Sequence, residues 1–161
     1  MLKSPKFLWL IILILLAGFG FMTNKFIFAG KTIPSNDDRT AILVTAEERT
    51  MILGEMRKFL ETIQGITEAT AKGDLETVAT LATDMGNESP NVSPSLMGKL
   101  PIEFKSLGSA THGLFTDLGE TAKGGDANAV LRDMGNLMLN CTTCHADNKF
   151  VIEGTAEAKM Q

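Results

Sequence analysis

Cysteine and histidine are scarce in this chain, two of each in 161 residues. A tetrahedral zinc site takes three or four Cys and His ligands, and beside Cys141, Cys144 and His145 only His112 is left to complete one. Tyrosine is absent and the single tryptophan, Trp9, lies in an N-terminal leader, so the core has to be aliphatic, Met and Phe. Period-two alternation is sparse, which argues against sheets, and no tandem repeat points to a solenoid. Nor is there a Ser/His/Asp set or a cluster of spare acids near the cysteines, so an enzyme is not the expectation. Basic residues run short as well. Beyond position 29 there are 12 Lys and Arg against 19 Asp and Glu, a formal charge of −7, which makes a poor nucleic-acid binder.

What is present is concentrated near the carboxyl end. Cys141, Thr142, Thr143, Cys144 and His145 spell C-x-x-C-H, the pattern through which a chain takes one haem c covalently. The cysteines supply two thioethers and the histidine an axial iron bond. A thioredoxin-like C-x-x-C would instead follow a strand and open a helix, where the dipole depresses the first thiol's pKa. Here Val130, Leu131, Met134, Leu137, Met138 and Cys141 recur at spacings of three and four, so the motif is expected late in a helix. The bland alternative is two buried thiols beside a surface histidine.

Residues 1–29 read as a separate unit. Lys3 and Lys6 precede an uncharged apolar run over residues 7–22, an export signal or membrane anchor. The run falls between a cleavable leader and the roughly 20 residues that span a bilayer, and Ile27, Phe28 and Ala29 before Gly30 form a passable cleavage site. Cleavage and retention both stay open. The lysines favour a cytoplasmic N-terminus with the remainder exported, which suits haem attachment on the outer side of a bacterial-type membrane. The expected location is therefore periplasmic, either soluble or tethered to the inner membrane by residues 7–22.

Residues 30–44 read as a tether and residues 45–156 as one helical domain. Thr45 with Glu48 three positions on makes a capping box, and Ile52, Leu53, Met56, Phe59, Leu60, Ile63 and Ile66 form a stripe that runs to Lys72 before Gly73. Asp74 caps a second helix with Leu75, Val78, Leu81, Ala82 and Met85 inward and Gly86 as its expected stop. Residues 87–100 have loop composition. Pro101 opens a third helix carrying Ile102, Phe104, Leu107, Leu114, Phe115 and Leu118, locally weakened by Gly108 and Gly113, and Asp126 caps the fourth. The expected fold class is all-α, an antiparallel four-helix bundle preceded by a hydrophobic signal or anchor helix.

A long first helix, a crossover, and a single C-x-x-C-H near the end of the fourth helix resemble the cytochrome c′ family and its low-spin relatives, the class II c-type cytochromes, over about residues 45–155. Arg49, Leu53 and Met56 are similar to an arrangement in first helices of that family, whereas Ala146, Asp147 and Asn148 depart from the basic residues that often follow the motif. The resemblance implies that Cys141 and Cys144 anchor the porphyrin, that His145 is the proximal iron ligand and that Leu53 stands at the distal position. It also implies homodimers, which are common there through the first helix.

The sixth iron position has several candidates. In an up-down-up-down bundle the starts of the first and third helices lie level with the end of the fourth, and Met56 and His112 each lie eleven positions past their helix starts at Thr45 and Pro101. A Met56 thioether opposite His145 would raise the reduction potential; the alternative for Met56 is plain core packing. Met51 and His112 are further candidates. An occupied site makes a monohaem electron carrier serving redox partner proteins. An empty one makes a binder of nitric oxide or carbon monoxide, and a retained leader would suit a haem subunit of a membrane respiratory or photosynthetic complex.

Overall fold

The computed structural model describes residues 5–89, 92–156 and 158. It is mostly helical: α1 (Pro5–Thr23) runs into a π-helical turn (Asn24–Ala29), then come β1 (Thr32–Pro34), β2 (Thr40–Val44), α2 (Ala46–Ala71), α3 (Leu75–Asn87), α4 (Pro94–Lys99), α5 (Ile102–Lys123), α6 (Ala127–Asp147) and β3 (Asn148–Ile152). The helix ends follow local chemistry. Thr45 Oγ1 accepts from the Glu48 N–H at 3.2 Å while the Thr45 N–H donates to Glu48 Oε2 at 2.8 Å, a closed capping box that starts α2. Gly73 and Gly125 take φ of +72° and +78°, conformations glycine adopts without strain, and Asp74 and Asp126 then cap the N–H groups of Thr77 and Asn128.

Helix α3 packs most closely on α5, α5 on α6, and α2 on α3, while α2 touches α6 only lightly. The close pair rests on two glycines. A Cβ on Gly86 would run into Thr116 Oγ1 and lie 2.7 Å from the Thr116 nitrogen, and one on Gly119 would lie 2.6 Å from Thr83 Oγ1. Those two pairings fix α3 and α5 as antiparallel. Gly86, expected to stop its helix, is thus inside α3, where its missing side chain lets two backbones approach; the cap lies beyond Asn87. The main core, Ile66, Val78, Phe115, Leu118, Val130 and Leu137 among others, fills the space between these helices.

Three further expectations are corrected. The described residues are not all-α, because β1, β2 and β3 form a sheet in that order, with β2 antiparallel to β1 and parallel to β3. Residues 30–44 are likewise more than a tether: Ala41, Ile42 and Val44 in the central strand are fully buried. Thr40 pairs with Asn148 and Val44 with Ile152, partners more than a hundred positions apart, and such pairing leaves no periodic trace in either short segment. The 87–100 crossover also contains α4, capped by Ser93 Oγ, which accepts from the Leu96 N–H at 3.1 Å, with Pro94 in its first turn.

The sheet carries a second apolar cluster: Ile42, Val44, Ile52, Leu96 and Leu100, with Met51, Met56, Phe104 and Phe150 packed against it. Lys99 locks it. Its ammonium lies 2.7 Å from Glu48 Oε2 and 2.7 Å from the buried Glu153 Oε1, tying α4 to the cap of α2 and to the residue after β3.

Candidate haem-attachment site

At about 100° per residue, positions three and four apart share one side of a helix, so Cys141, Cys144 and His145 fall within an arc of about 100°. The stripe of Val130, Met134 and Leu137 is buried, and Cys141 continues it, packed against the main core. Both thiols are half-buried and free, and His145 is exposed. Burial pushes both thiols upward, with Cys141 and Asp147 adding to the effect at Cys144. These are protonated thiols, the reverse of a thioredoxin-like pair with its activated thiolate. Among the described residues no group of three or more His, Cys, Asp or Glu could hold a metal ion. An ion at His145 would have to arrive with other ligands, as the iron of haem does.

Two contacts set the heights of the facing helices. Thr67 Oγ1 of α2 lies 3.6 Å from Met134 Sδ of α6. Eleven positions back from Thr67 is Met56 and eleven on from Met134 is His145, and eleven residues are three turns to within about 20°. By helical rise alone this puts Met56 and His145 at similar heights on the sheet side of that contact, with Met56 packed against the sheet-side cluster. On α5, Thr121 Oγ1 donates to Asp133 Oδ2 of α6 at 2.6 Å. Thirteen positions from each lie Gly108 and Ala146, so Gly108 is also at the height of His145.

Gly108 was not singled out as a site residue, although its position held a signal. It stands four after Phe104 and three before the buried Thr111, on the inward side of α5. A Cβ built there meets nothing within 4 Å. No atom of another helix fills this half-buried position near the level of the motif, so a larger group could lie against it without a clash.

The other candidates fall around this level. Leu53 is half-buried about one turn past Met56, level with Asn148. Met51 and Met56 pack against the sheet-side cluster. His112 lies level with Thr142, half-buried, with Nδ1 2.9 Å from the Met85 carbonyl and its ring edge-on to Phe59 at 5.1 Å. That contact places a proton on Nδ1, because a carbonyl oxygen only accepts. Leu60 of α2 and Met138 of α6 are exposed apolar side chains, with 67% and 45% of their surface accessible. Compared with family models, with curated proteins and with solved structures, the chain matches none.

Proposed function

We propose that the chain is a monohaem c-type cytochrome that carries electrons on the periplasmic side of a membrane. Its α2, α3, α5 and α6 make the antiparallel four-helix bundle of the cytochrome c′ and class II type. The observation that carries the reading is one helix side holding two half-buried free thiols and an exposed imidazole in C-x-x-C-H order. Haem, when bound, supplies a one-electron iron couple. Cys141 and Cys144 would hold it covalently, and His145, with Met56 as the proposed second ligand, would bind its iron. Leu53, Leu60 and Met138 keep water from the porphyrin margin, which sets the polarity around the iron. His112, whose Nδ1 is engaged by the Met85 carbonyl, is the alternative second ligand and would make a bis-histidine carrier of lower potential.

A second reading has the porphyrin lying against the unfilled position at Gly108 and its iron left free to bind nitric oxide or carbon monoxide. The acidic surface suits a basic patch on a redox partner and not nucleic acid. A homodimer and a place within a respiratory or photosynthetic complex belong to the same proposal. The test is expression in a host that attaches haem c, followed by intact mass and an optical spectrum. A coloured product heavier by one haem is expected, with low-spin ferric features for the carrier, or high-spin features that respond to carbon monoxide for the gas binder. A colourless chain of unmodified mass, matured beside a control cytochrome that loads, overturns both.

A further inference from the structure

The apolar run that ends near Met22 is short for a bilayer, yet the helical path continues without a break from Pro5 to Ala29, 25 residues with none of its hydrophobic window buried. The continuation passes through Thr23, Asn24 and Lys25, whose long side chain can reach the headgroup region, and adds exposed Phe26, Ile27 and Phe28 to a surface that already carries Trp9 and Phe19. About 20 residues suffice for the hydrocarbon core, so the whole segment is long enough to cross it.

The junction with the domain is tightly built. Gly30 is buried at φ +64°, and a Cβ there would run into Lys99 O and lie 2.7 Å from the Pro101 nitrogen and 2.8 Å from the Leu100 carbonyl carbon, backbone atoms that have no freedom to yield. The Lys31 N–H donates to Lys99 O at 2.7 Å, and Leu43 N–H to Lys31 O at 2.8 Å. Lys105 Nζ donates to the Ile27 carbonyl at 3.1 Å and to the Met97 carbonyl at 3.2 Å. Cleavage between Ala29 and Gly30 would put a new α-ammonium, mostly protonated near neutral pH, into that buried seat and strip Lys105 of an acceptor. The charged groups nearby are already matched to one another, Lys31 and Lys99 with Glu153 at 2.7 Å each and Lys99 with Glu48 at 2.7 Å, so a new ammonium would enter a seat whose acids already have cations.

We propose that residues 5–29 stay attached as a membrane anchor, and that their seat on α4 and α5 holds the 141–145 end of the domain toward the outer leaflet. The start of α5, where Lys105 grips the anchor, lies at the same end as the start of α2 and the close of α6. Exposed Met97 on α4 faces the headgroup region beside the exit, while the turns 72–74 and 124–126 point away from the bilayer. The anchor stands without haem. Only its consequence, a haem presented to membrane-embedded redox partners, rests on the reading above.

The full chain, expressed with haem maturation, is fractionated, the membranes are washed with alkaline carbonate, and the intact mass is taken. Full-length mass in the washed membrane is expected; a soluble product beginning at Gly30 overturns the anchor whether or not it carries haem. Orientation is read in vesicles with a Trp9→Phe background carrying either Met97→Trp or Glu76→Trp. Brominated lipid should quench the tryptophan at 97 and leave the one at 76 at least several-fold less affected. Equal quenching, or the reverse order, overturns the placement of the motif end.

Discussion

Adding one methyl group at two glycines should move stability in opposite directions. In a helix interior alanine is favoured over glycine by about 1 kcal/mol. At Gly108 of α5 the added Cβ meets nothing within 4 Å, so Gly108→Ala should realise that gain of about 1 kcal/mol. At Gly86 of α3 the same Cβ strikes Thr116 Oγ1 and sits 2.7 Å from the Thr116 nitrogen and 3.0 Å from the His112 carbonyl oxygen. Backbone has no freedom to rotate aside, so α3 and α5 must separate. Such overpacking costs about 1–3 kcal/mol and outweighs the propensity gain. Gly119→Ala should fall between, because its closest conflict is the Thr83 hydroxyl, which can turn. Thermal unfolding of the full chain in detergent, without haem and followed by far-UV circular dichroism, reads the order directly. Gly108→Ala should melt about 2–5 °C above the parent and Gly86→Ala several degrees below, as about 1 kcal/mol shifts Tm by a few degrees in a domain of this size. Gly108→Leu supplies the functional half: it should leave the haem-free melting point undiminished yet reduce haem loading several-fold. Equal shifts at the two glycines would refute the close α3 and α5 packing. Undiminished loading in Gly108→Leu would refute the assignment of the space at Gly108 to the porphyrin.

Met56→Ala should convert low-spin iron to high spin and admit carbon monoxide, whereas an unchanged spectrum removes Met56 as ligand; His112→Ala is the matched comparison, and a spin change there alone identifies a bis-histidine site. Phe115→Ala, which empties a fully buried position against Phe59, should cost about 3–5 kcal/mol in denaturant unfolding. Lys99→Met removes the cation that Glu48 and the buried Glu153 Oε1 share, leaving Glu153 with Lys31 alone, and should cost about 1–3 kcal/mol. The same cluster has a pH signature. Burial acts to raise the Glu48 carboxyl, but Lys99 and the Thr45 N–H together hold it below its ordinary 4.5, and Lys31 and Lys99 hold Glu153 below the same value. A depressed folded-state pKa stabilises above the unfolded value, so the contribution should be complete above about pH 5 and fade as pH drops through the carboxylate range. Lys99→Met should flatten that acid limb, and a limb as steep as the parent's would exclude the cluster as its source.

Much of this protein is determined over three or four residues, and that part is legible in the chain alone. The capping box of Thr45 and Glu48, the stops at Gly73 and Gly125 followed by caps at Asp74 and Asp126, and the common side of Cys141, Cys144 and His145 all follow from helical spacing and the hydrogen-bond needs of helix ends. Tertiary structure alone decided the rest. β2 became a buried central strand because β3 lies beside it, Gly86 became a contact point because Thr116 lies across from it, and Gly108 faces open space because nothing on a neighbouring helix reaches it. The level of Met56 with His145 likewise depends on how α2 slides along α6, which the contact of Thr67 with Met134 sets. Each is a relation between segments distant in sequence, and local periodicity carries the direction a side chain takes from its own helix but not what stands opposite.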